Sequence, residues 1–90
     1  MARFDVYENS GGDGCLLDVQ SDLLDGLNTR VVVPLLPVPS APSPAQRLNP
    51  VFRIDGNELV MATQYLAAVP AGELCNQVGS LAEERDEISA

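Results

Sequence analysis

The sequence predicts one mainly β domain closed by a short C-terminal helix, and three observations point there. Short segments alternate apolar and polar residues at the strand period of two. An Asp55-Gly56 pair divides two β-rich runs, the local mark of a hairpin. From Ser80 the pattern changes, because Leu81 and Ile88 are seven residues apart and share one helical face. Ninety residues leave room for a single core, so residues 1–90 form one domain.

Residues 3–7, RFDVY, set Phe4 and Val6 on one face of a first strand. ENSGGDG is a glycine-rich loop. CLLDVQ then puts Cys15, Leu17 and Val19 on one face and Leu16, Asp18 and Gln20 on the other, a half-buried second strand. TRVVVPLL is β-branched and nearly continuous, as expected of a strand buried on both faces. Pro34 cannot donate to a ladder, so the strand is expected to bend there.

Residues 34–50 hold six of the seven prolines and are expected to be a long Pro-rich surface loop. The hairpin follows: Val51 to Ile54, the Asp55-Gly56 turn, then Leu59 to Met61, with ATQYLAAV continuing toward Pro70. Ser80-Leu81-Ala82-Glu83 reads as a capping box that opens a helix over 80–90. A helix of about three turns is marginal alone, so it must dock or continue.

A chain this short gains from a second copy, and a homodimer is the expected form. Cys15 and Cys75 stand in no metal-ligand spacing, the chain has no histidine, and both cysteines read as small apolar side chains in a reducing compartment. No metal or cofactor site is expected. Thirteen acids face five arginines and no lysine, a net charge of −8 that repels phosphate backbones and anionic lipid surfaces. No apolar run reaches membrane-spanning length and no secretion signal is visible, so a soluble, cytoplasmic protein is expected.

Catalysis finds no support. No nucleophile–base pair can be assembled, and SGGDG lacks the lysine of a phosphate-binding loop. Asp18, Asp22 and Asp25 fall at helical spacing, but a strand-to-turn location scatters them as solvated carboxylates. A non-enzyme is expected. Leu23 and Leu24 lie between Asp22 and Asp25, and either fold back onto the core or face a partner. The residues alone leave both open.

Four segments in order carry a family resemblance: RFDVYEN, LLDVQSDLLDGLNTRVVVPLLP, NPVFRIDGNELVMATQYLAAVP and SLAEERDEIS. Together they resemble the CcdB family of plasmid and chromosomal toxins. The most specific part is DVQSDLLD followed by NTR and the hairpin, with Val69-Pro70 at the expected distance.

The resemblance implies an SH3-like, small antiparallel barrel with a C-terminal α-helix, homodimeric. It implies the toxin of a type II toxin–antitoxin system serving plasmid maintenance. Such a toxin binds the DNA gyrase A subunit, traps the cleaved-DNA complex as a topoisomerase poison, and is neutralised by a CcdA-like antitoxin. In the family the apolar pair after QSD lies on the surface and its first member contacts gyrase. Carried over, that residue is Leu23 with Leu24 beside it, and Ser21 and Asp22 complete the implied partner-binding set. Family members continue beyond the position of Ala90 into a tail that supplies the main gyrase contacts. Those contacts have no counterpart in these 90 residues, so the helix over 80–90 is expected to be a shortened one. Two alternatives stand: an endoribonuclease toxin like MazF/Kid, which shares the barrel but needs cationic side chains at the scissile phosphate, and a non-toxic homologue that only binds antitoxin.

Overall fold

The computed structural model describes residues 3–9, 14–24, 26–37, 49–54, 56–84 and 88. Among the described residues seven strands form one antiparallel, curled half-barrel sheet: β1 (Asp5–Glu8), β2 (Cys15–Asp18), β3 (Thr29–Pro37), β4 (Val51–Ile54), β5 (Asn57–Met61), β6 (Ala67–Pro70) and β7 (Gln77–Ser80). Their spatial order is β4-β5-β3-β2-β1-β7, and β6 pairs with β3 alongside β5.

Period-two alternation explains the main core. Val6 pairs with Leu17 and Leu17 with Val33, so the three stack on one face. Leu35, Phe52, Ile54, Leu59 and Met61 join them from the hairpin side. The hairpin closes with Ile54 opposite Asn57, and Gly56 takes the left-handed conformation at φ 82° that this turn requires.

The opposite face is covered as well. Tyr7, Val32 and Leu74 form a second cluster, with Leu16 and Val69 against it. Leu74 reaches it because β6 runs into a single turn of 3-10 helix at Ala71–Glu73, closed by Leu74 N–H donating to Ala71 O at 3.1 Å. Covering both faces overturns one expectation. Asp18 is a fully buried carboxylate paired with Arg30, not a solvated one, because its side of β2 lies under this second cover.

Several boundaries are corrected. The expected loop over 34–50 begins later, because β3 runs through Pro34 to Pro37. Residues 38–48 of that expected loop lie outside the described residues, and Asn49 and Pro50 are buried. Pro34 is tolerated because it sits where β3 changes partners: β6 pairs as far as Val32 and β5 begins at Leu35. Its carbonyl accepts from Ala62 N–H at 2.9 Å on that side, so the missing donor falls at the junction of two ladders. ATQYLAAV does not continue β5. Ala62 ends it, a 3-10 turn at Thr63–Tyr65 redirects the chain, and β6 starts afresh.

The C-terminal part also differs. Ser80 ends β7 instead of capping a helix, and its Oγ accepts from Ala82 N–H at 3.3 Å instead of from Glu83. A 3-10 turn at Ala82–Glu84 follows, with Glu84 N–H donating to Leu81 O. Among the described residues helical structure is otherwise confined to short 3-10 turns and to Ile88, while 85–87, 89 and 90 of the expected helix lie outside them. Leu81 and Ile88 do share a destination, since Leu81 belongs to the main core and the partly buried Ile88 packs against it.

Phe4, just before β1, links the end of β2 to the residue that follows β7. Its N–H donates to Asp18 O at 2.6 Å and its carbonyl accepts from Leu81 N–H at 2.8 Å. It does so at φ 73°, a left-handed conformation that a bulky residue holds only when its surroundings over-determine it. The buried ring and these two bonds supply that constraint, with the Arg3 guanidinium 4.7 Å above the ring.

Candidate partner-binding turn

The connection between β2 and β3 is built outward from a buried polar platform. Asp18 and Arg30 lie on one face because Asp18 pairs with Val32, two residues from Arg30, making them diagonal neighbours across the ladder. Arg30 Nε donates to Asp18 Oδ2 at 2.8 Å, and Nη2 lies 2.6 Å from the same oxygen. The other carboxylate oxygen, Oδ1, accepts from Gln20 N–H at 3.0 Å. A buried carboxylate is stable here because a cation and a backbone donor replace the lost water.

Gln20 carries the platform into the turn. Its Oε1 accepts from Val31 N–H at 3.0 Å and its Nε2 donates to Leu24 O at 2.7 Å. Asp22–Leu24 forms one turn of 3-10 helix, held by Leu24 N–H to Ser21 O at 2.9 Å and Leu27 N–H to Leu24 O at 3.1 Å. Ser21 Oγ accepts from Leu23 N–H at 3.2 Å, a local cap that suits serine at a helix entry. The far side is tied down by Ala71 N–H donating to Asn28 O at 2.8 Å.

The leucines face solvent. Leu23 is 94% exposed, Leu24 48% and Leu27 53%. Of the four residues expected at a partner surface, Ser21, Leu23 and Leu24 are exposed within this one turn, and Asp22 opens it. Gln20 and Arg30 were not singled out by sequence reasoning. Strand parity puts Gln20 with Leu16 and Asp18, and that parity was the available signal for a buried polar face.

Tyr7 lies on the same side of the sheet. Burial, aided by the negative charges of Asp5 and Asp18, pushes its hydroxyl pKa above the ordinary 10.0, and the hydroxyl donates to Asp5 Oδ2 at 3.5 Å. The cysteines divide. Cys15 is half-buried against the main core as expected, whereas Cys75 is exposed, its thiol donating to Gly72 O at 2.9 Å. Among the described residues no three His, Cys, Asp or Glu side chains group as a metal would need, and no helix is long and apolar enough to cross a membrane.

No curated protein matches the chain at a significant level. The family model described as CcdB protein matches residues 3–90, a span that takes in every strand and the exposed turn. The chain belongs to the CcdB family.

Proposed function

We propose that this chain is the toxin of a type II toxin–antitoxin pair: it binds the DNA gyrase A subunit, traps the cleaved-DNA complex, and is neutralised by a CcdA-like antitoxin in the cytoplasm. The family match over residues 3–90 carries the reading. It acts by binding and not by catalysis, in keeping with a chain that has no histidine or lysine. A charge of −8 suits an inhibitor aimed at a protein that holds DNA, since it opposes direct binding to DNA. The half-barrel is the SH3-like barrel of the family, completed by a C-terminal helix and doubled into a homodimer.

Leu23 is the principal contact, with Leu24, Ser21 and Asp22 around it. A leucine that is 94% exposed on a turn braced to two strands is available without rearrangement. Its burial on docking contributes roughly 1.5–3 kcal/mol.

The test is gyrase-dependent cleavage of supercoiled plasmid by the purified chain, alone and with a family-like extension after Ala90, with RNA cleavage assayed in parallel. Cleaved DNA that accumulates only with gyrase, and that antitoxin suppresses, is the expected result. RNA cleavage would instead place the chain with MazF/Kid-like endoribonucleases. Antitoxin binding with neither activity would make it a non-toxic homologue.

A further inference from the structure

We infer that Gln20 is the positioning residue of this partner surface: its buried side-chain amide ties the Leu24 carbonyl to the Val31 N–H and thereby fixes the turn that presents Leu23. The inference rests on the reading of that turn as the partner contact.

Gln20 and Leu23 stand three positions apart, yet one is 3% exposed and the other 94%. Gln20 uses both ends of its amide, Nε2 on Leu24 O at 2.7 Å and Oε1 on Val31 N–H at 3.0 Å. Its own N–H is held by Asp18 Oδ1 at 3.0 Å, and Asp18 is held in turn by Arg30. The bonds described above within residues 21–27 are local, joining neighbours of the same exposed turn. The Gln20 amide reaches across from the turn to β3, and so couples the turn to the body of the sheet.

The chemistry demands an amide. A glutamate keeps the acceptor for Val31 N–H but loses the donor and sets a carboxylate against the Leu24 carbonyl. A leucine of similar size loses both bonds. In either case the turn keeps its exposed leucines but samples more conformations, and a partner must then order them on binding.

Two readouts test this on the full chain. Amide hydrogen exchange reports the turn: in Gln20→Leu, exchange at Leu24, Leu27 and Val31 should quicken by about tenfold while the amides of β1 and β2 keep their protection. Affinity for the purified gyrase A protein reports the surface, and it should weaken by about five- to tenfold. In a Leu23→Asp background the same Gln20 change should cause almost no further loss, because the two act through one contact. Gln20→Glu, which retains an acceptor, carries the same readouts if Gln20→Leu does not fold.

Unchanged exchange in the turn would overturn the inference. So would a loosened turn with undiminished affinity, or losses that add fully to those of Leu23→Asp. A wild-type chain that does not bind gyrase A would instead sink the partner reading. The exchange measurement would still decide whether Gln20 holds the turn.

Discussion

The Arg30 guanidinium meets the Asp18 carboxylate with Nη2 and Oδ2 2.6 Å apart, and both side chains are sealed from water at 1% and 0% exposure. Removing one partner strands the other charge in an apolar interior, so the penalty far exceeds the net worth of the pair. Arg30→Met and Asp18→Asn are each expected to lower unfolding free energy by about 3–5 kcal/mol. The double change Asp18→Leu with Arg30→Met should recover much of that loss, because it leaves no orphaned charge. Urea denaturation midpoints of the four chains check this. Single variants with unchanged midpoints would mean that water reaches the pair.

Tyr7 makes stability depend on pH at the alkaline end. Its hydroxyl pKa is raised above 10.0 in the fold by burial, then by the charges of Asp5 and Asp18. Above about pH 10 the unfolded chain gives up this proton while the folded chain still holds it. The unfolded state then binds fewer protons, so stability is intact below that pH and falls as pH rises through the folded pKa. Tyr7→Phe should flatten this decline without altering behaviour at neutral pH, as read from denaturation midpoints at a series of alkaline pH values.

How far the sequence discloses this molecule depends on the range of the interaction involved. The Asp55-Gly56 hairpin and the Val6, Leu17 and Val33 face follow from short-range patterning, and both are found. β7 was invisible because Val78 is its one large apolar residue and its partner β1 lies at the other end of the chain. Asp18 is buried and not solvated, which parity alone does not disclose: it names a face but not what covers it, and the cover comes from Leu74 after β6. The exposed turn was legible as a tension between Leu23, Leu24 and their acidic neighbours. The role of Gln20 was not, because its bonds go to backbone groups that any sequence would supply.

Two glycines with nearly the same φ separate conformational cost from collision. Gly14 and Gly56 have φ of 79° and 82°, but a Cβ on Gly14 would run into the Leu35 carbonyl while one on Gly56 would meet nothing. Gly56→Ala should therefore destabilise by about 1–2 kcal/mol, the expense of a left-handed L-residue. Gly14→Ala should cost clearly more, because the backbone of β3 cannot retreat without loosening its ladder to β2. Thermal melts of the two variants against the parent chain decide it. Equal losses would show that the loop before β2 yields freely.

Leu23 and Leu24 are adjacent yet should respond differently to charge. Leu23 is 94% exposed and Leu24 48%, so an aspartate at 23 stays in water while one at 24 displaces apolar surface that is half covered. Leu23→Asp is expected to change folding stability by less than about 0.5 kcal/mol, the usual range for surface sites. Leu24→Asp should cost more, about 1 kcal/mol, as partial burial of a charged group implies. Partner affinity should fall in both, so Leu23→Asp isolates binding from folding. Denaturation midpoints measured beside gyrase A affinity give the separation. A loss of several kcal/mol in Leu23→Asp would mean that this side chain is covered in the folded protein, by a second copy of the chain or by the core, and would remove it from the partner surface.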